Sequence, residues 1–332
     1  MPITIYREAD VDYSVLAGKR VAIVGYGNQG HAHALNLRDS GHCEVVVGAR
    51  DNSPSGDAAR QAGLTVLPVA EAATSDIVML LAPDEAQPAI YADHIRDAMK
   101  PGAALGFAHG FAVHYGLIEP RADIDIIMAA PLGPGKGLRA EYVAGRGLPA
   151  LLAVAQDASG SARDLALAYA GGIGAGRAAI LETTFKDETE TDLFGEQAVL
   201  CGGMPALIVA AFETLVEAGY PPELAYIVCL HETKLITDLL QKGGIAAMNL
   251  AISNTAEFGG NAVGKRLVTA DTKAEMKRVL AEVRDGRFTE EFIADARAGN
   301  PALRADRARQ AGHPIEAAGA RVRGLMPWLK EE

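Results

Sequence analysis

Residues 19–30 read Lys19-Arg20-Val21-Ala22-Ile23-Val24-Gly25-Tyr26-Gly27-Asn28-Gln29-Gly30. An apolar, β-branched run leads straight into Gly25, Gly27 and Gly30, and a helix-like stretch, residues 31–38, follows. A G-x-G-x-x-G pattern between a strand and a helix is the context that dinucleotide binding requires. Glycine permits the tight turn and lets backbone N–H groups approach a pyrophosphate, which then rests on the helix N-terminus. A second apolar strand, Glu44-Val45-Val46-Val47, ends near Gly48, at the distance expected of the next unit. The spacing predicts a Rossmann domain; a glycine-rich turn without a ligand is the alternative.

Past that second strand lies Ala49-Arg50-Asp51-Asn52-Ser53-Pro54-Ser55, where such folds read the adenosine ribose. An acidic side chain accepts from the 2′-OH of NAD, whereas basic groups and hydroxyls suit the 2′-phosphate of NADP. Arg50, Ser53 and Ser55 fit NADP and Asp51 fits NAD, so both cofactors stay open. Three more buried strands follow, at residues 76–81, 104–108 and 125–130. They are closed by Pro83-Asp84-Glu85-Ala86-Gln87, by His109-Gly110-Phe111 and by Pro131-Leu132-Gly133-Pro134-Gly135. Ligands of open parallel sheets lie beyond the carboxyl ends of the strands. His109 and the 131–135 turn are thus placed to line the cofactor cleft, although a lone histidine is equally read as a surface or hydrogen-bonded residue.

From Glu182 onward the strand pattern gives way to helices, at residues 205–218, 222–240 and 272–284, the last two with apolar spacing near 3.6. Gly243-Gly244 is expected to end the second of these, and residues 252–257 read as a polar turn. Glu232 lies in an apolar setting, with Ile227, Val228, Leu230, Leu235, Ile236 and Leu239 around it. A buried carboxylate there is costly unless it is paired or bound to a metal. Ahead of these helices stands Lys186-Asp187-Glu188-Thr189-Glu190-Thr191-Asp192-Leu193-Phe194-Gly195-Glu196-Gln197. Asp192 and Glu196 are i and i+4, so on a helix both carboxylates point the same way. Like charges so placed destabilise a helix, unless a hard cation such as Mg²⁺ accepts them as oxygen ligands. A solvated acidic helix start, favoured by the macrodipole, is the plain alternative.

Composition narrows the partners. With 31 basic against 42 acidic residues the net charge is −11, which speaks against nucleic acid. No apolar run reaches the length of a membrane span, and the chain does not open on a secretory signal. Its 332 residues suffice for two domains, expected at 1–182 and 183–328. Cys43, Cys201 and Cys229 are too widely spaced for a disulfide framework or a zinc site. A cytoplasmic protein is expected.

Taken together, the motifs resemble the ketol-acid reductoisomerases of the short (class I) form. The resemblance runs over essentially the whole chain. It rests on Gly25-Tyr26-Gly27-Asn28-Gln29-Gly30-His31-Ala32-His33-Ala34, Ala82-Pro83-Asp84-Glu85, Phe107-Ala108-His109-Gly110-Phe111, residues 187–197, Leu230-His231-Glu232 and Ile252-Ser253-Asn254-Thr255-Ala256-Glu257. It implies an α/β Rossmann domain followed by an all-α, knotted C-terminal domain. It also implies a homodimer, or a higher oligomer, with each active site completed by the partner. Members of this family migrate an alkyl group in a 2-hydroxy-2-acyl acid and reduce the resulting 2-keto acid with NAD(P)H, using two Mg²⁺. Carried over by position, Asp192 would bridge the metals, Glu196 would hold one and Glu232 would serve the second. Ser253 would bind the substrate carboxylate and His109 would sit near the nicotinamide. Tyr26, Gly27, Asn28, Gln29, Arg50, Ser53, Ser55, Asp84, Gln87 and Gly135 would bind the cofactor.

Two positions depart from the family pattern. Its Ala-Pro-Lys turn carries a catalytic lysine where this chain has Leu132, and its later helix carries a metal-binding glutamate where this chain has Val228. Both losses fall in one expected site and point to altered chemistry. The expectation is an enzyme that keeps the cofactor and at least one Mg²⁺ and moves hydride on a small hydroxy or keto acid. Relatives in natural-product pathways, one kind of which closes a cyclopropanol ring on a sulfonium-bearing hydroxy acid, are a model for such divergence. An ordinary reductoisomerase of branched-chain amino-acid synthesis and a catalytically dead cofactor-binding paralogue are the alternatives.

Overall fold

The computed structural model describes residues 3–330. The chain divides into two compact units, Met1–Thr191 and Asp192–Glu332. The change of pattern at 182 precedes this division, which falls inside one helix, Phe185–Gly195.

The first unit is built on a nine-stranded sheet in the order β1-β9-β8-β7-β6-β5-β2-β3-β4. The strands are β1 Ile5–Tyr6, β2 Arg20–Val24, β3 Glu44–Gly48, β4 Thr65–Leu67, β5 Ile77–Leu80, β6 Ala104–Phe107, β7 Asp125–Pro131, β8 Ala150–Gln156 and β9 Ile180–Glu182. From β4 to β7 all neighbours are parallel. The chain winds outward from β2 in both directions, so its switch point lies between β2 and β5, where doubly wound folds bind nucleotides. β5, β6 and β7 are buried along their whole length, as parallel strands covered on both faces must be. β7 and β8 pair antiparallel, as do β1 and β9, and these extend the Rossmann core at one side. Two apolar clusters cover the faces, one centred on Ile23, Leu37, Met79 and Tyr169 and the other on Leu80, Leu105, Phe107 and Met128.

His33 sits inside the first of these faces. It lies on the helix Asn28–Ser40, fully buried, with Nδ1 2.8 Å from the Tyr169 hydroxyl. Burial alone pushes its pKa down to about 3, so the folded state holds it neutral. In the unfolded chain it titrates near 6.5. Its contribution to stability is therefore whole above that value and is lost as pH falls toward 3. At about pH 5 the loss should reach about 2 kcal/mol. Urea unfolding at neutral and at mildly acid pH tests this: His33→Gln should shrink the pH-dependent loss by that amount, and an unchanged loss would rule it out.

The second unit is largely helical, with Gly203–Glu217, Thr233–Ala251, Asn254–Leu267, Ala270–Arg284, Arg287–Arg297, Pro301–Ala311 and Pro314–Gly324 as its longer helices. Gly244 has φ +74 and breaks the helix in which it lies, where the glycine pair was expected to end it. Residues 252–257 are not a turn: Ser253 is an N-cap, its hydroxyl accepts from Ala256 N–H at 3.2 Å, and helix follows at once. The 222–240 helix is also subdivided, with a π-helical segment, Ile227–His231, between Pro222–Tyr226 and the next helix. The core of this unit is small: Phe212, Ala225, Tyr226, Ile315, Ala318 and Val322 form its buried apolar cluster, with Leu193 and Val283 buried apart from it. Leu207, Leu235, Ile245, Leu250, Phe258 and Leu267 are exposed. The expectation that no apolar stretch has the length of a membrane span is corrected by an 18-residue window within Phe185–Glu217, which has that length and composition and is hardly buried. Its helix is interrupted by a π-helical segment, Glu196–Leu200, and by a turn at Cys201 and Gly202.

Candidate active site

The glycine turn stands at the carboxyl end of β2, and three of its contacts exclude any side chain. Gly25 has φ +99, and a Cβ there would lie 2.6 Å from the Ala82 nitrogen at the end of β5. A Cβ on Gly30 would overlap the Gly25 carbonyl, and one on Gly135 would overlap the Asn28 carbonyl. Gly27 differs: no atom lies within 4 Å of its Cβ position, so it faces open space. It is also the N-cap of Asn28–Ser40, which has no side-chain cap. Uncapped N–H groups and the positive end of the helix dipole thus meet an open cradle, the setting that takes a phosphate. Around the same strand ends, Tyr26 Oη, Gln29 Oε1 and Gln87 Oε1 are buried and have no protein partner. Buried polar atoms of this kind call for a ligand or water. The residues present therefore fit a dinucleotide.

Between β3 and the helix Pro54–Gln61, Arg50 and Asp51 are exposed, and Ser55, in the first turn of that helix, is half-buried. Ser53 is buried, and its hydroxyl oxygen caps that helix by accepting from Gly56 N–H at 3.2 Å. This cap occupies the serine as an acceptor, so only its hydroxyl proton is left for a ligand. Gln87 donates to the Ala82 carbonyl at 2.9 Å and to Asp84 at 3.0 Å, which fixes the loop after β5.

β6 delivers His109 to the same edge of the sheet. Glu188, only 3% exposed, accepts from Gly110 N–H at 2.8 Å and from the Thr189 hydroxyl at 3.2 Å. Its other oxygen lies 2.9 Å from His109 Nδ1. A carboxylate can only accept, so Nδ1 carries the proton and proton exchange falls to Nε2. Gly110 makes the approach possible, because a Cβ there would come within 2.5 Å of the Thr189 hydroxyl and 2.8 Å of the Phe185 carbonyl. Sequence reasoning did not single out Glu188. The available signal was its place four residues before Asp192 on the same helix face. The acidic run is thus split: Asp187 is exposed, whereas Glu188 and Glu190 are buried, the latter 3.6 Å from His114 Nε2.

Asp192 follows Glu188 by one turn and is half-buried, and Glu196, exposed, opens the π-helical segment Glu196–Leu200. Glu232 is exposed, which corrects the expectation of a buried carboxylate. The apolar residues beside it are exposed too, Leu235 by 59% and Ile236 by 39%, so their face is not turned into the unit's own core. Among the described residues no group of three ligand side chains that includes Glu196 or Glu232 converges. Val228 lies in the π-helical segment Ile227–His231 and Leu132 follows β7; they are 46% and 48% exposed. Ser253 is exposed at its helix N-cap. Cys43, Cys201 and Cys229 are free thiols.

Comparison with known proteins covers both units. Residues 15–179 match the family described as acetohydroxy acid isomeroreductase, NADPH-binding domain. Residues 185–328 match ketol-acid reductoisomerase, C-terminal domain. Among solved structures, an NADH-preferring ketol-acid reductoisomerase from an uncultured archean is 46% identical, covers 98% of this chain and 99% of its own, and superposes with a TM-score of 0.95. A semialdehyde dehydrogenase NAD-binding protein from Cupriavidus necator is 20% identical over 80% of this chain and 99% of its own, with a TM-score of 0.61. The pyrroline carboxylate reductase of Plasmodium falciparum is 13% identical over 81% of this chain and 98% of its own, with a TM-score of 0.50. The last two share the fold alone. Matched in both units, and along nearly its full length by one relative at 46% identity, the chain belongs to the ketol-acid reductoisomerase family in its short form, and is an NAD(P)-dependent oxidoreductase.

Proposed function

We propose that this protein reduces, or oxidises, a small 2-keto or 2-hydroxy acid with a nicotinamide cofactor and Mg²⁺, and that it has lost efficient alkyl migration. The observation that carries this is the contrast within the first unit. The glycine cradle and the Glu188–His109 pair are complete, while the turn after β7 presents Leu132 where the family has a lysine. Leu132 is 48% exposed and offers no cation.

The cofactor supplies the hydride and Mg²⁺ supplies Lewis-acid stabilisation of negative oxygen. Gly27 and the N–H groups of Asn28, Gln29 and Gly30 would hold the pyrophosphate. Reduction of a keto group also needs a proton at its oxygen, and His109 Nε2, with Nδ1 held by Glu188, is suited to move it. Asp192 and Glu196 would hold one Mg²⁺. Glu232 is left to serve the second ion without a carboxylate at Val228, which leaves that site weak. Ser253 would take the substrate carboxylate. The extensive exposed apolar surface of the helical unit supports a homodimer in which the partner covers it. The ordinary reductoisomerase reading is favoured by the 46% identity to a member that carries that name. Divergence to a natural-product acid is favoured by Leu132 and Val228.

Cofactor choice is testable directly. Asp51 is exposed in the ribose loop. A carboxylate about 4 Å from a phosphate costs about 1 kcal/mol even in water-like surroundings. NADH should therefore bind at least as tightly as NADPH in a fluorescence titration. Tenfold tighter NADPH binding would overturn the assignment of Asp51. Mg²⁺-dependent oxidation of NADH by a panel of 2-keto acids tests the enzyme reading itself; no turnover of any acid would favour a cofactor-binding paralogue.

A further inference from the structure

Gln29 sits on the dinucleotide helix, yet its side chain also reaches the loop after β7. Its amide N–H donates to the Gly133 carbonyl at 2.9 Å. A carbonyl can only accept, so this bond fixes which end of the amide is nitrogen. The other end, Oε1, is then an acceptor, and it is buried with no partner. A buried acceptor left empty is costly, and it faces no donor of the protein. Gly133 in turn has φ +154, a backbone conformation open to glycine, and a Cβ there would lie 3.1 Å from Leu148 Cδ1. The residue before it is Leu132, whose N–H donates to the Pro149 carbonyl at 2.8 Å and whose side chain is exposed. Gly135, two residues on, is pressed against the Asn28 carbonyl.

We infer that Gln29 is a positioning residue that couples cofactor binding to the 131–135 loop, its Oε1 accepting from a hydroxyl of the bound nucleotide while its N–H holds Gly133. This rests on the cofactor reading above. An amide held at one end by the loop and at the other by the ligand loses its freedom to rotate. The loop, with Leu132 at its tip, is then held more tightly when the cofactor is in place. Substrate would meet a finished wall in the cofactor complex and a looser one in the free protein. Helix packing alone, through Gly135 and Asn28, gives no such dependence on ligand.

Hydrogen exchange of the whole protein, with and without saturating NADH, separates the two. In the unaltered protein NADH should slow exchange at Leu132 and Gly133 at least tenfold. In Gln29→Met, which keeps the length and removes both polar ends, NADH should leave these amides unchanged even at saturation. Its NADH affinity should fall about tenfold, the loss of one hydrogen bond. Equal protection in Gln29→Met, or none in the unaltered protein, would overturn the coupling. A fluorescence titration of the unaltered protein is read separately. If NADH does not bind at all, the cofactor reading fails and the coupling falls with it.

Discussion

Given NADH, Mg²⁺ and 2-acetolactate, the Leu132→Lys/Val228→Glu double variant should turn over at least about 100-fold faster than the unaltered protein. Alkyl migration begins with loss of the hydroxyl proton, and negative charge then passes to the neighbouring oxygen as the carbon–carbon bond shifts. Metal ions stabilise such charge, and removing one positioned donor typically costs about 10²–10³ in rate. On the proposed reading Leu132 would withhold that donor, and Val228 would withhold an oxygen from a second ion. Both losses act on one transition state, so each single reversion should recover less than a simple share of the double effect. The reversions should not unfold the protein. Both positions are nearly half-exposed, so a charged side chain there avoids burial. In the π-helical segment the Glu232 N–H reaches back to the Ile227 carbonyl at 3.0 Å, a geometry frequent at functional sites. Steady-state cofactor consumption by the four proteins decides the matter.

Gly30→Ala should abolish cofactor binding, with NADH affinity reduced more than about 100-fold, equivalent to about 2.7 kcal/mol. The added methyl would overlap the Gly25 carbonyl and lie 3.3 Å from Ile23 Cγ2, so the helix must move off the strand it packs on. Overpacking of this kind also costs about 1–3 kcal/mol of stability. Gly27→Ala is the informative control. Its φ is −94, and its Cβ position is empty. The fold should tolerate it, while the methyl enters the space that a phosphate must approach. Lost NADH affinity with unchanged unfolding for Gly27→Ala, and loss of both for Gly30→Ala, would place the nucleotide on this turn. Full NADH affinity in both variants would remove it from there.

The parts of the fold legible in sequence were those set by local pattern. β3, β5, β6 and β7 are short apolar runs bounded by glycine, proline or polar turns, and they appear within a residue or two of the expected places. The glycine turn was legible because Gly25 and Gly30 answer backbone contacts that no side chain survives, while Gly27 keeps the cradle open. β1, β4 and β9 are two or three residues long, too short for a period-two signal, and each is completed by its neighbour in the sheet. The π-helical segments were invisible because apolar spacing is nearly the same in α- and π-turns. Glu232 was expected to be buried from the apolar residues around it. Periodicity identifies an apolar face but not what covers it, and here the unit's own core does not. Glu188 was hidden for the opposite reason. Within a run of carboxylates only tertiary packing distinguishes the one that meets His109 and Gly110.

One assay weighs the central claim most directly. NADH oxidation is followed with Mg²⁺ and either 2-acetolactate or the 3-hydroxy-2-keto acid that methyl migration would make from it. The second substrate needs only hydride and a proton, which on the proposed reading the cofactor and His109 would supply. The first needs migration beforehand. The account predicts turnover of the keto acid and little or none of 2-acetolactate, a ratio of about 100 or more. Comparable turnover of both would contradict it and return the protein to the ordinary reductoisomerases.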